Sequence, residues 1–134
     1  MQLFIILFAM VAMASAIPKE KYLKYREECF KSEKVPAVVI EKLNNPQYEE
    51  DMGHEAKCFI RCMALKIGSW DDTNGYNIDK TYADFQDGGL EVSKENMKKC
   101  FTSNPDNDDK CVWADKDLKC LYRNKYVTHK YSIN

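Results

Sequence analysis

Apolar and aromatic side chains recur along most of this chain at intervals of three and four residues, the spacing that places them on one face of an α-helix. The first such stretch covers 19–32 and follows Pro18, a residue that is favourable in the first turn of a helix. Its apolar, aromatic and cysteine positions are Tyr22, Leu23, Tyr25, Cys29 and Phe30. The pattern therefore predicts a helix that buries one face.

The same spacing predicts five more helices, each bounded by residues that begin or end helices. The second begins at Pro36 and stops at the Asn-Asn-Pro sequence of 44–46, and the third covers 54–67 and is ended by Gly68. The expected bounds of the last three are Asn77 or Asp79 through Phe85, Ser93 to the Asn-Pro pair at 104–105, and about Asp108 to beyond Cys120. Strict alternation of apolar and polar residues, which a half-buried strand requires, is absent from the sequence. We therefore predict an all-α fold of about six helices.

The N-terminal sixteen residues predict a signal peptide. Residues 3–13 form an uncharged apolar run, and Ala14-Ser15-Ala16 has the small-residue pattern of a cleavage site. The run is shorter than the roughly 20 residues that span a bilayer, and no later segment replaces it. We expect a signal peptide at 1–16, one mature domain at 17–134, an extracellular location and no membrane span.

Charge is balanced and well mixed along the chain. It carries 20 basic and 21 acidic side chains, a formal net charge of −1, and no basic block. Because a phosphate-binding surface needs a clustered positive stripe, nucleic acid is not expected as a partner.

The six cysteines are an even number in a chain expected to reach an oxidising compartment, which predicts three disulfides. Cys58 and Cys62 lie one helical turn apart, too far for a disulfide between them, so they must reach different partners. Cys111 and Cys120 lie on opposite sides of a continuous helix and must also bind separate elements. These restrictions leave several pairings open.

Enzyme chemistry finds no support in the sequence. Two histidines without a C-x-x-C motif give neither a zinc pattern nor a thioredoxin-like motif, and paired cysteines leave no catalytic thiol. Residues 70–81 fail as an EF-hand, because Trp70 and Thr81 stand where acidic ligands belong. We expect no enzymatic activity, no cofactor and no metal site.

The cysteine pattern carries a family resemblance. Cys29, the C-x3-C pair at 58–62, Cys100 and the C-x8-C pair at 111–120 follow an apolar leader in a small helical chain. This arrangement resembles the six-cysteine insect odorant-binding proteins of the pheromone-binding and general odorant-binding type. The resemblance implies the pairings Cys29 with Cys62, Cys58 with Cys111 and Cys100 with Cys120. It also implies helices around an internal apolar pocket, and a secreted carrier of odorants, pheromone-like molecules or fatty-acid-like molecules.

Candidate ligand-binding residues are the apolar and aromatic positions of the third to sixth helices and the tail, any one of which can instead be ordinary core. They are Phe59, Ile60, Met63, Leu65, Ile67, Tyr82, Phe85, Leu90, Met97, Phe101, Leu118, Leu121, Tyr122 and Tyr126. In the related proteins, hydroxyls near the middle of the third helix sometimes reach the ligand. Ile60 and Leu65 are aliphatic here, so a long apolar chain is expected rather than a small alcohol.

The chain has three arginines, and each lies on or beside a cysteine-bearing helix. Arg26, Arg61 and Arg123 are therefore candidate anchors for a ligand carboxylate, since arginine binds carboxylates bidentately. The alternative for each is an exposed ion pair.

The fourteen residues after Cys120 carry the apolar anchors Tyr126, Val127, Tyr131 and Ile133, so the tail either extends the sixth helix or folds back. If it folds back, protonation of His129 would loosen it. The expected partner is a small hydrophobic ligand, with a chemosensory receptor as a further candidate, and the expected state is a monomer or weak homodimer. Two alternatives stay open: a scavenger of a small mediator, which needs buried acids facing the pocket, and a disulfide-rich interaction or defence protein with a filled core.

Overall fold

The computed structural model describes residues 18–44 and 51–129. The predicted signal peptide, the Asn45-Pro46 pair and the tail residues Tyr131 and Ile133 lie outside these ranges. Within them the chain forms six α-helices joined by short connections. The helices are α1 (Lys19–Ser32), α2 (Ala37–Asn44), α3 (His54–Ile67), α4 (Ile78–Asp87), α5 (Lys94–Cys100) and α6 (Lys110–Arg123). The all-α prediction is confirmed.

The ends of the helices follow from the capping residues. Asn77, and not Asp79, caps α4 by accepting a hydrogen bond from the backbone N–H of Lys80, at 2.9 Å. Ser93 and Asp109 cap α5 and α6 in the same way. Each such cap contributes about 1 kcal/mol to the stability of its helix. 

Two helix ends differ from prediction. α4 continues two residues past Phe85, to Asp87, and α5 ends at Cys100, four residues before Asn104. α5 ends at Cys100 because the backbone of the next residue, Phe101, is extended (φ −82°, ψ 116°). Cys100 itself forms the disulfide with Cys120.

Four two-residue strands, which the sequence did not predict, form two antiparallel pairs among the described residues. β1 (Trp70–Asp71) pairs with β2 (Gly75–Tyr76), and β3 (Leu90–Glu91) pairs with β4 (Thr128–His129). Strands this short carry no visible alternation. α6 ends at Arg123, and the second pair brings Thr128–His129, the last described part of the tail, back against the segment that follows α4.

Three disulfides tie the helices together, with the predicted pairings. Cys29–Cys62 joins α1 to α3, Cys58–Cys111 joins α3 to α6, and Cys100–Cys120 joins α5 to α6. α3 is thus held on one face by two different helices, as the spacing of Cys58 and Cys62 requires.

The core lies between α3, α5 and α6 and extends to α1 and α2, where Cys29 and Leu43 are buried against α3 and Tyr25 and Phe30 pack partly buried beside them. Cys29 is the one fully buried side chain of α1, whereas Tyr22 and Leu23 are 40% and 47% exposed. The predicted burial of one face of α1 is therefore wrong at Tyr22 and Leu23. The physical reason for Tyr22 is that it stands beside a cavity and not against packed side chains.

Candidate ligand-binding cavity

A cavity of about 680 Å³ lies between α1, α3, α4 and α6. It opens to solvent beside Lys19, Asp87 and Gly88, which are exposed. Apolar residues from four helices and β3 form its walls: Leu43, Phe59, Ile60, Met63, Ala64, Ile67, Phe85, Leu90 and Leu118. Pockets of this size and composition accommodate small organic ligands.

Eight of the fourteen predicted ligand-binding residues line this cavity. They are Phe59, Ile60, Met63, Ile67, Phe85, Leu90, Leu118 and Tyr122. The four on α3 are Phe59, Ile60, Met63 and Ile67. Apart from the adjacent pair Phe59 and Ile60, they are three, four, seven or eight residues apart, so they lie on one face of the helix. Their contact with a ligand stays a prediction.

The other six do not line the cavity. Leu65 is 39% exposed, so its predicted inward position is wrong; it faces away from the Ile60–Met63–Ile67 side of α3. Met97 and Leu121 are fully buried, and they pack with Phe101 in the core between α5 and α6. Tyr82 and Tyr126 line a separate, smaller hollow of about 320 Å³ beside β4. The apolar spacing predicts the side of a helix that faces inward, but it does not distinguish residues packed in the core from residues that line a cavity.

The three candidate arginines have three different environments. Arg26 lines the cavity, and its guanidinium carbon lies 5.4 Å from the centroid of the Phe30 ring. Arg61 instead forms a two-point contact with Asp72, with Nε donating to Oδ1 at 2.8 Å, and this contact lowers the pKa of Asp72 to about 2. Arg123 is exposed at the end of α6 and does not line the cavity. An anchoring role within this cavity is thus open only to Arg26 among the three.

Polar residues that the sequence analysis did not consider also line the cavity. Tyr76 and Ser69 are satisfied internally: the Tyr76 hydroxyl donates to the Ala114 carbonyl at 2.8 Å, and the Ser69 hydroxyl donates to the Ala64 carbonyl at 3.5 Å. On α4, Thr81 and Asp84 line the wall one helical turn apart, with Asp87 one further turn along at the mouth. The sequence signal for Thr81 and Asp84 is their helical spacing, since Thr81 lies one turn before the predicted cavity residue Phe85 and Asp84 lies next to it.

Asp84 is the titratable group most affected by the cavity. Burial, followed by the neighbouring Asp87 carboxylate, raises the pKa of Asp84 to about 6. Burial and the nearby Asp84 carboxylate also raise the pKa of the Tyr22 hydroxyl across the mouth, while Arg26 acts in the opposite direction.

One cluster of metal-ligating residue types lies away from the cavity. His54, Cys58 and Cys111 lie close together, but both sulfurs belong to the Cys58–Cys111 disulfide and are not free to bind a metal. The His54 ring nitrogen Nε2 instead contacts the Asp109 carboxylate at 3.2 Å. 

Among the described residues, the helices are too short and too polar to cross a membrane.

Helices cross-linked by disulfides around an apolar cavity define a class of protein: small-molecule binding proteins that enclose their ligand. A model of the PBP/GOBP family matches residues 12–124, and the chain belongs to this family of odorant-binding carriers. Odorant-binding protein 22 of Aedes aegypti is 33% identical over 138 residues, which cover 99% of this chain and 98% of that protein. General odorant-binding protein 99a of Drosophila melanogaster is 26% identical over 140 residues, covering 99% and 97%. The resemblance inferred from the cysteine spacing is confirmed, and the family is one of carriers for small hydrophobic ligands rather than enzymes.

Proposed function

We propose that this protein is a secreted carrier that takes up odorant, pheromone-like or fatty-acid-like molecules in the cavity between α1, α3, α4 and α6. The observation that carries the proposal is the cavity itself: about 680 Å³ with nine apolar residues in its wall. Burial of an apolar chain against such walls is worth about 25 cal/mol per Å² of surface removed from water. Secretion is supported by the three disulfides, which persist in oxidising compartments.

The cavity lining carries opposite charges on two helices. Lys19 and Arg26 of α1 line one part, and Asp84 and Asp87 of α4 line another. A fatty-acid carboxylate would be oriented toward α1, which carries the cationic side chains of Lys19 and Arg26, and away from the α4 carboxylates. Its hydrocarbon chain would then extend along Phe59, Met63 and Leu118.

Displacement of phenylnaphthylamine, a neutral fluorophore that brightens in apolar surroundings, tests the proposal. Ile67→Trp adds bulk to the cavity wall, whereas Leu65→Trp adds the same side chain two residues away, on the exposed side of α3. We expect Ile67→Trp to weaken fluorophore and dodecanoic acid binding about tenfold or more, and Leu65→Trp to leave both within twofold. Equal effects of the two variants, with native circular dichroism in both, would show that ligands bind elsewhere.

A scavenger of a small amine mediator is the second candidate, because it requires an acid that faces the cavity and Asp84 is such an acid. Amines displacing the fluorophore more strongly than fatty acids would favour it. The third alternative, a defence or interaction protein with a filled core, does not account for the cavity. A chemosensory receptor as partner, a weak homodimer and a pH response at the exposed His129 of β4 stay predictions.

A further inference from the structure

The charged side chains that line the cavity are divided by sign between two helices. Lys19 and Arg26 both belong to α1, and their separation of seven residues places them on one face of that helix. Asp84 and Asp87 both belong to α4 and lie three residues apart, again on one face. Within the described parts of the chain these four are the charged residues of the lining. A ligand in the cavity therefore meets positive charge on the α1 side and negative charge on the α4 side.

The acids on α4 receive no counter-charge from the described residues. Asp84 is half-buried, and burial, followed by the neighbouring Asp87 carboxylate, raises its pKa to about 6. No lysine or arginine of 18–44 or 51–129 opposes that shift. Because the pKa is still below 8, both carboxyls are ionised in mildly alkaline solution and repel each other there. A cationic group on a ligand would supply the counter-charge that these two side chains lack.

Tyr22 lies within electrostatic range of both charged helices. Burial and then the Asp84 carboxylate raise the pKa of the Tyr22 hydroxyl, whereas the Arg26 guanidinium lowers it. Arg26 is not among the groups that act on the pKa of Asp84, so these two opposite charges line one cavity without neutralising each other. The Tyr22 ring also lines the cavity, and aromatic rings attract quaternary ammonium groups. The space beside Tyr22 can therefore accommodate a head group that carries both charges.

We propose that the cavity recognises a zwitterionic amphiphile, a molecule with one apolar chain and a head group that joins a quaternary ammonium to an anionic group. The assignment deepens the carrier function proposed above and rests on it. The ammonium group lies against Asp84 and Asp87 of α4, and the anionic group points toward Lys19 and Arg26 of α1. The apolar chain contacts the apolar wall of the cavity.

Head groups with a single charge match one helix only. A fatty-acid carboxylate is attracted by the cations of α1, but it leaves the α4 carboxylates without a counter-charge and is repelled by them. An alkylammonium group is attracted by α4 and repelled by α1 for the same reason. A neutral alcohol gains neither attraction. The charge arrangement of the lining therefore favours the zwitterion over each of its singly charged counterparts.

Four ligands with the same dodecyl chain separate these cases: dodecyl betaine, which is zwitterionic, dodecanoate, dodecyltrimethylammonium and dodecanol. Each is used below its micelle concentration to displace phenylnaphthylamine from the full mature chain at pH 8, where the Asp84 carboxyl is ionised. We expect dodecyl betaine to bind at least about threefold more tightly than either singly charged ligand, since a partly exposed ion pair is worth up to about fivefold in affinity.

Removal of one charge from each helix gives opposite results for the two singly charged ligands. Asp84→Asn should weaken dodecyl betaine and dodecyltrimethylammonium about threefold and strengthen dodecanoate, whereas Arg26→Gln should weaken dodecyl betaine and dodecanoate and strengthen dodecyltrimethylammonium. Dodecyl betaine is thus the ligand that both variants weaken. Asp106→Asn and Arg123→Gln remove the same charges at exposed positions outside the cavity lining, and should leave all four affinities within about 1.5-fold.

Each contrary result has a distinct meaning. Dodecanoate binding as tightly as dodecyl betaine overturns the zwitterion and leaves a fatty-acid carrier, and tightest binding of dodecyltrimethylammonium replaces it with a cation site. Binding that none of the charge variants changes sinks the head-group assignment but keeps the carrier function, whereas failure of the fluorophore and all four ligands to bind sinks both. If Asp84→Asn or Arg26→Gln does not fold, the exposed Asp87→Asn and Lys19→Gln on the same helices test the same directions.

Discussion

At the scale of single residues, the buried polar groups of this protein divide into those that the fold satisfies and those that it does not. Asp117 is 1% exposed and accepts hydrogen bonds from the Thr102 backbone N–H at 2.8 Å, the Thr102 hydroxyl and the Trp113 indole N–H at 3.1 Å. It thereby ties the segment after α5 to α6. Thr81 is 3% exposed, yet its hydroxyl makes no hydrogen bond within the described residues, and the half-buried Asp84 carboxyl lines the cavity.

Asp117→Ala should destabilise the protein by about 1 to 3 kcal/mol, because it leaves the Thr102 backbone N–H without its acceptor and removes one of the two acceptors of the Trp113 indole N–H, the other being the Thr102 carbonyl at 3.2 Å. Urea unfolding followed by tryptophan fluorescence measures the loss. Asp106→Ala is the control: this exposed acid pairs with Lys116 at 3.0 Å and should change stability by less than about 0.5 kcal/mol. Similar losses in the two variants would contradict the structural role of Asp117.

Asp84 should make stability depend on pH in the direction opposite to most carboxyls. Since its pKa is about 6 in the folded protein against 3.8 for the ordinary group, the folded state holds the proton more tightly than the unfolded state. The stability that Asp84 contributes is therefore present at low pH and is lost as pH rises through about 6.

Asp84→Asn removes this effect and should stabilise the protein at pH 8 by about 1 to 2 kcal/mol relative to wild type, with allowance for the partly exposed carboxyl. At pH 4 the difference should be close to zero. Urea titrations of both proteins at the two pH values give the comparison, and Asp106→Asn, an exposed position that does not line the cavity, provides the control. A difference that does not change with pH would argue against a raised Asp84 pKa.

At the scale of elements, the β1–β2 hairpin requires a glycine at position 75, although the apolar periodicity of the sequence does not predict the hairpin. Gly75 has φ +79°, and a β-carbon there would lie 2.8 Å from Cζ2 of Trp113. Asp71 closes the turn by accepting from the backbone N–H groups of Thr73 and Asn74, at 2.8 and 2.6 Å. The backbone of Gly75 therefore lies directly against the Trp113 side chain of α6. Trp70 also packs edge-on against Trp113, with ring centroids 4.6 Å apart.

Gly75→Ala should cost about 2 to 4 kcal/mol, because it combines backbone strain at positive φ with a clash against a buried indole. Gly68→Ala is a matched control: it also has positive φ, at +91°, but a β-carbon there meets nothing within 4 Å. We expect it to cost only about 1 kcal/mol. Thermal or urea unfolding ranks the two variants, and equal losses would rule out the indole contact as the cause.

At the scale of the whole molecule, three disulfides join α1, α3, α5 and α6, and three of these helices, α1, α3 and α6, border a space that side chains do not fill. α3 contributes Phe59, Ile60, Met63 and Ile67 to the cavity wall and is bound to α1 and α6 on its cysteine face. The side chains around an apolar hollow lack the packing contacts of a filled core, and this lowers the stability of the folded state. The disulfides restrict the unfolded chain and thereby offset part of that lost stability.

Replacing the Cys58–Cys111 pair with serine should cost about 4 kcal/mol, and replacing Cys100–Cys120 should cost about 3, because the sequence separations are 53 and 20. The first change should also weaken fluorophore binding, since it removes one of the two bridges that hold α3, the helix that supplies five of the nine apolar residues in the cavity wall. Denaturant unfolding and displacement assays on both double variants provide the measurements. Undiminished fluorophore binding without the 58–111 bridge would show that packing alone maintains the cavity.

The amino-acid sequence alone determined the helices and the family. α1 and α3 begin and end at the predicted residues because their limits depend on local features, namely Pro18 and Gly68 and the apolar spacing between them. The cysteine spacing likewise carried the disulfide pairing through the family resemblance, and helix geometry already excluded a Cys58–Cys62 bond.

Only the tertiary structure decided which inward residues surround empty space. Met97 and Leu121 share the apolar spacing of Met63 and Leu118, yet the first pair is packed solid and the second faces the cavity. Periodicity reports the face on which a side chain lies, whereas a cavity depends on the distance to the facing helix, which is set by long-range packing and disulfides. For the same reason the sequence could not separate Arg61, neutralised by Asp72, from Arg26, or show that Thr81 and Asp84 enter an apolar wall.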